Sequence, residues 1–487
     1  MGLAQLNDSA AIYSVFSSVG DARRSRATFE ALTSFIERMT DLGGVLSAGL
    51  LAYFVYRSLG IGKALHYSIA TVTTAALAFA VVFVLMLDHD GAYKRANSML
   101  RIRETERILR VSLQAFGIVL LVSFFSSFLF SRWVVLLAIV FVPLILITEK
   151  QVVFLIIRHL HSRGYGVQNA LVYGAGFTGR SVLSALVRSP KLGLRPVAIV
   201  DDDEGIVGKD IYASSYRHTV SAPVIAGPLS RDLIRKWGCS LIVIGIPSMS
   251  RQRVQEIAAE AFSVGAEVAF VPQLSFESDT AADYVDIDGV LIASIGQHAR
   301  KWLYEAVKRS FDLVAALFLL VFSAPIWTAL AILIHRDSTG PMLFSQMRVG
   351  RGGKPFELYK FRSMHANSPK YDFHPTDTND PRITRFGSWL RRTSLDELPQ
   401  LINVLKGDMS LVGPRPEMPF IVEGYEARHW QRLTVTPGLT GLWQLSADRA
   451  FRIHENIQYD LYYIRHRNFF MDLAILLHTA VFAMKGV

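Results

Sequence analysis

Cysteine is almost absent from this sequence. A single one, Cys239, stands in 487 residues, which excludes an internal disulfide and any metal site built from several thiolates. It falls where a strand begins, Cys239-Ser240-Leu241-Ile242-Val243, and reads as a buried, unreactive thiol. Charge is sparse as well. Asp, Glu, Lys and Arg make up 19% of residues, apolar types make up 51%, and mean hydropathy is +0.30. That balance excludes an ordinary soluble protein and points to membrane segments mixed with water-facing domains. Acids are the scarcer sign, leaving a formal net charge of +10. In a chain this apolar, the excess suits an anionic lipid surface, and no nucleic-acid partner is expected. The first 40 residues are polar and mixed, so no cleavable signal peptide is expected there. This length implies two to four domains.

Four apolar stretches occupy the first third: Leu42–Tyr56, Ala64–Leu87, Val111–Phe130 and Trp133–Thr148, the last extending towards Glu149 and Lys150. The second and third are long enough to cross a hydrocarbon core of about 30 Å at 1.5 Å per residue. The first must borrow beyond Arg57, whose head can snorkel to the interface. Arg23, Arg24, Arg26 and Arg38 precede the first stretch, and Lys94, Arg95, Arg101, Arg103 and Arg107 crowd the second connection. Arg158 and Arg163 follow the fourth, whereas the other connections carry only Arg57, Lys63 and Arg132. By the positive-inside rule both ends of this segment face the cytoplasm, so residues 1–160 read as a polar lead and a four-helix transmembrane bundle. His66 lies near one end of a span and reads as interfacial.

From Gly166 the texture changes to alternating strands and helices. Ala170-Leu171-Val172-Tyr173 leads into Gly174-Ala175-Gly176-Phe177-Thr178-Gly179, and Pro196–Val200 ends in Asp201-Asp202-Asp203. Further strands are predicted at Val224–Ala226, Leu241–Ile246 and Val268–Val271, with a helix over Arg251–Phe262. Residues 161–275 thus read as a small Rossmann-like parallel α/β domain, and the polar stretch 276–299 as a linker. Gly174, Gly176 and Gly179 after a strand, with Asp201 about 20 residues on, fit a dinucleotide fingerprint that is weak alone.

The final domain, residues 300–487, opens with the basic and aromatic run Arg300-Lys301-Trp302-Leu303. Leu313–Ile334 then carries no charge for about 22 residues, a length that could span. Pro325 near its centre removes a backbone hydrogen bond and leaves two arms of about half the bilayer core each. A full crossing would also strand everything after it away from nucleotide-activated donors. A re-entrant, kinked helical hairpin resolves both difficulties. The short apolar run Leu473–Met484 reads as an interfacial helix.

Chemistry concentrates between Gly340 and Asp460, where basic residues recur among Gly and Pro turns as a diphosphate pocket requires. The blocks are Lys360-Phe361-Arg362-Ser363-Met364, Asp380-Pro381-Arg382, Leu390–Gln400, Gly413-Pro414-Arg415-Pro416 and Pro437–Gln444. Ser394-Leu395-Asp396-Glu397 matches a capping box, in which Ser394 and Glu397 would merely cap a helix. Flanked by Arg391 and Arg392, the same acids also make a place where phosphate and metal meet a carboxylate nucleophile. Mg²⁺ takes one or two carboxylates plus phosphate oxygens, so an adjacent pair can divide the work of attack and metal holding.

In these blocks the sequence, from about Lys308 onward, resembles the bacterial sugar transferase family, the monotopic polyprenyl-phosphate phosphoglycosyl transferases. With its four helices and α/β domain it resembles the long form, which uses undecaprenyl phosphate to initiate exopolysaccharide, capsule or O-antigen synthesis. The resemblance implies transfer of a sugar-1-phosphate from a UDP-sugar to polyprenyl phosphate at the cytoplasmic face of a bacterial inner membrane, with release of UMP. It implies Asp396 as nucleophile, forming a phosphosugar–aspartate intermediate, and Glu397 as the Mg²⁺ ligand. It implies Arg391 and Arg415, in Pro414-Arg415-Pro416, as phosphate or nucleotide contacts, with Lys360 and Arg362 as further substrate-binding residues. One departure is Ser446-Ala447-Asp448-Arg449, where family members often carry Ser-Gly-Arg, which puts a role for Arg449 in doubt.

Two rival classes compete. A membrane-anchored NAD(P)-dependent epimerase or dehydratase would use the glycine fingerprint and a Tyr304-x-x-x-Lys308 dyad, but the α/β domain has no substrate half. A structural or dimerising role suits that domain better and makes a homo-oligomer, most simply a dimer, the expected state. A transporter would need charges inside the spans, and these stretches carry almost none.

Overall fold

The computed structural model describes residues 3–60, 67–93, 101–125, 131–188, 192–215, 218–271, 280–287, 290–297, 301–369, 380–446 and 457–484. It divides into two compact units, Met1–Leu274 and Ser275–Val487.

The first unit begins with helices α1 (Leu3–Leu59), α2 (Ile69–His89), α3 (Arg101–Phe125) and α4 (Arg132–Ser162). Ser68 starts α2 by accepting a hydrogen bond from the Thr71 amide at 3.1 Å. Ala48, Ala80, Phe83, Val142 and Leu146 are buried where α1 and α3 each pack on α2 and α4. The outward faces stay apolar: Leu85 is 62% and Phe124 82% exposed. Such faces need a hydrocarbon solvent rather than water. Arg26–Leu59, Ile69–His89, Ile102–Phe125 and Arg132–Ser162 are each long and apolar enough to cross a membrane. Charge gathers at one end, where Lys150 donates to buried Asp41 at 2.8 Å and Tyr93 donates to the same carboxylate at 2.7 Å. Arg38 pairs with Asp88, and Arg110 with Asp90. His66 and the basic residues Lys63, Lys94 and Arg95 lie outside the described residues.

Beyond α4 the chain forms β1 (Gln168–Tyr173), α5 (Phe177–Arg188), β2 (Leu194–Asp201), β3 (Asp210–Ser215), β4 (His218–Ala226), α6 (Arg231–Trp237), β5 (Cys239–Ile244), α7 (Arg251–Phe262) and β6 (Glu267–Phe270). The sheet order is β3-β4-β2-β1-β5-β6, parallel throughout except for β3 against β4. The central strands are apolar on both faces, as a sheet covered on both sides requires, and two separate clusters of buried side chains flank it. Cys239 is buried, and burial pushes its thiol up to about 12. The helix over Arg251–Phe262 lies where its periodicity predicts, while the antiparallel β3 was not predicted.

The second unit opens with an antiparallel hairpin, β7 (Thr280–Ile287) and β8 (Val290–Gln297), within the stretch read as a linker. Helix α8 (Trp302–Asp337) follows, continuous through Pro325 and also long and apolar enough to cross a membrane. Both of its ends dock on the domain that follows. Near the start, Arg309 donates to the Val404 and Leu405 carbonyls at 2.6 and 3.0 Å, and Asp312 accepts from the Leu411 amide. Near the finish, Leu330 and Ile334 are buried with Phe361 and Leu390, and Asp337 accepts from the Phe386 amide. Between them Val314, Val321 and Phe322 are exposed. The body comprises β9 (Leu343–Val349), β10 (Pro355–Phe361), α9 (Arg385–Thr393), α10 (Gln400–Lys406), β11 (Ser410–Val412), α11 (Pro419–Val422), α12 (Ala427–Trp430), β12 (Gly438–Thr440), α13 (Gln458–His466) and α14 (Phe469–Met484). β9 pairs antiparallel with β10, and β11 parallel with β12.

Candidate active site

The acidic pair sits in a short 3₁₀ turn, Leu395–Glu397, between α9 and α10. Ser394 makes that turn possible by adopting φ 56°, the left-handed region that costs a side-chain-bearing residue roughly 1 kcal/mol. It therefore closes α9, and its hydroxyl does not cap the turn that follows. The capping-box reading of Ser394 and Glu397 is corrected on this point: the Glu397 carboxylate goes elsewhere. Lys360 Nζ and Arg415 Nη2 both donate to Glu397 Oε1 at 2.9 Å. Asn403 sets this geometry from behind. Fully buried on α10, it donates to the Glu357 carbonyl at 2.6 Å and accepts from the Tyr359 amide at 3.1 Å, fastening α10 to the edge of β10. Gly387 lets α9 approach the Ser363 backbone, which a methyl group there would strike.

Asp396 and Glu397 are neighbours with opposite electrostatics. Burial works to raise the Glu397 carboxyl, but Arg415 and Lys360 outweigh it and hold the group well below the usual carboxylate range. Asp396 is buried, and burial pushes its carboxyl up against the pull of Lys360, Arg391 and Arg415, with the Glu397 charge adding to the rise. Among the described residues no hydrogen bond or ion pair engages the Asp396 carboxylate. One acid is thus fixed and ionised, and the other is close to several cations but uncommitted. Arg391, on the last turn of α9, interacts with the Asp396 charge, and burial lowers its own proton affinity.

Of the other sequence candidates, Pro414 and Pro416 act through their carbonyls, which accept from the Gly438 amide at 2.8 Å and from Arg348 at 3.4 Å. Arg362 is placed differently from Lys360: its terminal nitrogens donate to the Ser338 and Thr339 carbonyls at 2.6 and 2.8 Å, closing the end of α8. Arg449 lies outside the described residues. Arg348, one of the basic residues among the Gly and Pro turns of this region, joins the cationic set. It is buried, and burial followed by Arg415 brings its guanidinium down to about 10. Asn403, described above, and Arg432, described below, lie outside the sequence candidates. A lone Asn in the apolar run Leu401-Ile402-Asn403-Val404 was the available signal.

No group of three or more His, Cys, Asp or Glu that could hold a metal occurs among the described residues. Asp396 and Glu397 still offer adjacent carboxylate oxygens, a donor set that fits Mg²⁺ only if phosphate oxygens and water complete its shell.

In the α/β domain Asp201, Gly174 and Gly179 make close contacts within the fold. Asp201 accepts from the Ala175 amide at 2.5 Å and the Asp203 amide at 2.9 Å. Gly174 has φ 106°, a methyl at Gly179 would strike the Gly174 carbonyl, and Gly176 faces open space. The Tyr304–Lys308 dyad is spent structurally: both donate to buried Asp472, at 2.8 and 2.9 Å.

The sequence profile of the bacterial sugar transferase family matches residues 303–486, and that of a CoA-binding domain matches residues 89–226. The UDP-glucose:undecaprenyl-phosphate glucose-1-phosphate transferase of Klebsiella pneumoniae is 30% identical over 331 residues, 65% of this chain and 68% of that protein. The protein of the same name from Xanthomonas campestris pv. campestris is 31% identical over 342 residues, 67% of this chain and 68% of that protein. The undecaprenyl-phosphate galactose phosphotransferase of Salmonella typhimurium is 37% identical over 224 residues, 42% of this chain and 46% of that protein.

Proposed function

Because the chain belongs to the bacterial sugar transferase family, we propose that it moves a hexose-1-phosphate from a UDP-sugar to undecaprenyl phosphate, as its relatives' names describe. A carboxylate oxygen of Asp396 attacks the β-phosphorus, the bond to the bridging oxygen breaks, and UMP leaves with the electron pair. An oxygen of the lipid phosphate then attacks the same phosphorus, releasing Asp396 and forming the lipid-linked diphosphate sugar. Arg391 and Arg415 offset charge on the diphosphate, and Lys360 and Arg415 keep Glu397 ionised beside it. Glu397 would hold Mg²⁺, leaving Asp396 to attack, and the ion would supply further positive charge against the diphosphate oxygens. The observation that carries this reading is the contrast inside the pair, Glu397 tied to two cations and Asp396 buried yet uncommitted.

The membrane geometry belongs to the same proposal. The first four helices cross the inner membrane, while α8 enters and leaves by one leaflet, so the catalytic unit stays on the cytoplasmic face where UDP-sugars are made. The support is the docking of both ends of α8. A straight helix would separate Arg309 from Leu330 by about 32 Å. The Arg309 partners lie at the end of seven-residue α10, and Leu330 belongs to the cluster that Leu395 and Leu398 join just before its start. A bend near Pro325 reconciles these positions, with the exposed apolar middle sunk in lipid.

Purified full-length protein, Mg²⁺, undecaprenyl phosphate and a panel of UDP-hexoses provide the test. UMP release with one sugar, and a sugar-phosphate adduct on Asp396 when the lipid is withheld, is expected; silence across the panel defeats the reading. For topology, Asn367→Cys in a Cys239→Ser background should react with an impermeant maleimide only after the inner membrane is opened. Labelling in intact spheroplasts would make α8 a full span.

A further inference from the structure

The Pro414–Glu417 loop carries the arginine that grips Glu397, and what holds that loop is unusual. Arg432, in the 3₁₀ turn Gln431–Thr434, is almost wholly buried. Its Nη2 donates to the carbonyl of Arg415 at 3.0 Å, and its Nη1 donates to the carboxylate of Glu417 and to the hydroxyl of Tyr425. Its Nε donates to Asp460 Oδ2 at 2.6 Å, tying the loop to α13. Tyr425 in turn donates to Glu417. Arg348 reinforces the loop one residue further on, at the Pro416 carbonyl, and the Glu417 carbonyl accepts from the Val349 amide at 3.0 Å.

Stability alone is a poor reason for this arrangement. A buried guanidinium between two carboxylates carries a desolvation penalty that its attractions roughly cancel, and apolar residues of similar volume commonly stabilise as well or better. What a saturated polar network supplies is a single geometry, because each donor has one acceptor and any displacement leaves a buried group unpaired. Here that geometry is the backbone of Arg415. Burial opposes the charge of Asp460, and Arg432 works against that burial.

We infer that Arg432 is a positioning residue for the transfer reaction: through the Arg415 carbonyl and the Glu417 carboxylate it fixes the loop from which the Arg415 side chain reaches Glu397. Its hydrogen bonds go to Arg415, Glu417, Tyr425 and Asp460 and not to Asp396 or Glu397, so it acts through the loop that carries Arg415. This inference rests on the transferase reading above and on its assignment of Arg415 to the diphosphate site.

A double-mutant cycle in the full-length protein tests it. Arg432→Lys keeps the charge but cannot make all of these bonds. It should lower kcat on the order of tenfold or more, with a smaller change in KM for the UDP-sugar, since small displacements of a charged contact are costly at that step. Arg432→Gln should be worse than Arg432→Lys. In an Arg415→Lys background, where the positioned group is already altered, Arg432→Lys should cost less than about twofold further. If Arg432→Lys is recovered unfolded, Tyr425→Phe, which removes one bridge of the network, enters the same cycle. An equal loss in both backgrounds, or wild-type kcat in Arg432→Lys, overturns the inference. Absence of activity in the wild-type chain with every UDP-sugar would instead remove the transferase reading itself.

Discussion

Lys360→Met separates electrostatics from mere packing at the acidic pair. The substitution keeps the length of the side chain on β10 and deletes its charge. It removes one of the two donors to Glu397 Oε1, from a site where the Lys360 and Glu397 side chains are only 12% and 19% exposed. A hydrogen bond to a charged group contributes about 1.5–3 kcal/mol net. Arg415 stays on the same oxygen, so Glu397 is not left bare and the larger cost of an unpaired buried charge does not apply. At 1.4 kcal/mol per factor of ten, kcat/KM should fall about 10- to 100-fold. The pH profile carries the sharper signature. Burial already pushes the Asp396 carboxyl up, and Lys360 is the largest influence opposing that rise. Without it the carboxyl rises further. A nucleophile must be ionised, so activity is lost as pH falls through this raised value, and the acid limb of kcat/KM should move to higher pH in the variant. The assay is UMP release at subsaturating UDP-sugar from acid to neutral pH, with buffer ionic strength held constant. A lowered plateau with an unmoved limb, or a limb moved to lower pH, would refute the assigned role of Lys360.

Asp396→Asn should abolish turnover and adduct formation while leaving the thermal midpoint unchanged or higher, because it removes a buried charge; retained turnover would end the covalent mechanism. Ser394→Gly relieves the left-handed backbone cost and should stabilise the protein by up to about 1 kcal/mol in thermal melts, yet lower kcat by loosening the turn that carries the pair. Gly179→Ala should cost about 1–3 kcal/mol through collision with the Gly174 carbonyl. Gly176→Ala faces open space and should change neither melting nor UMP release more than a few-fold; a dead but folded Gly176→Ala would bring the α/β domain into catalysis.

The parts of this protein that repeat a period were legible in advance. Helix α7 could be read from its apolar spacing, and the strands at Ala170, Pro196 and Leu241 from short apolar runs. Asp396 and Glu397 with Arg391 beside them stand out by residue type, the family resemblance adds Lys360 and Arg415, and the fold gathers all five. What escaped is what depends on contacts between distant segments. The Ser394–Glu397 spacing fits a capping box, but the tertiary pull of Lys360 and Arg415 on Glu397 exceeds what a local cap offers. Lys360 and Arg362 look equivalent two residues apart, yet one meets a carboxylate and the other the end of α8. The β7–β8 hairpin lies in a stretch whose acidic, polar composition reads as a linker, and its pairing depends on contacts that composition does not report. Arg432 left no local signal, since its four partners are spread from residue 415 to residue 460.

The Asp472 carboxylate joins the two ends of the catalytic unit. It accepts from Tyr304 and Lys308 at the start of α8 and from Tyr463, and it sits on α14, the last helix described. The contact between Lys308 and Asp472 spans 164 residues. During synthesis α8 therefore emerges long before its acceptor exists, carrying an ammonium and a phenol with no carboxylate to meet. Pairings this remote in sequence form late, after the loop between them has been closed. The contact between the start of α8 and α14 cannot form until α14 has been translated, so a chain that stops before Asp472 leaves Tyr304 and Lys308 without the carboxylate they meet here.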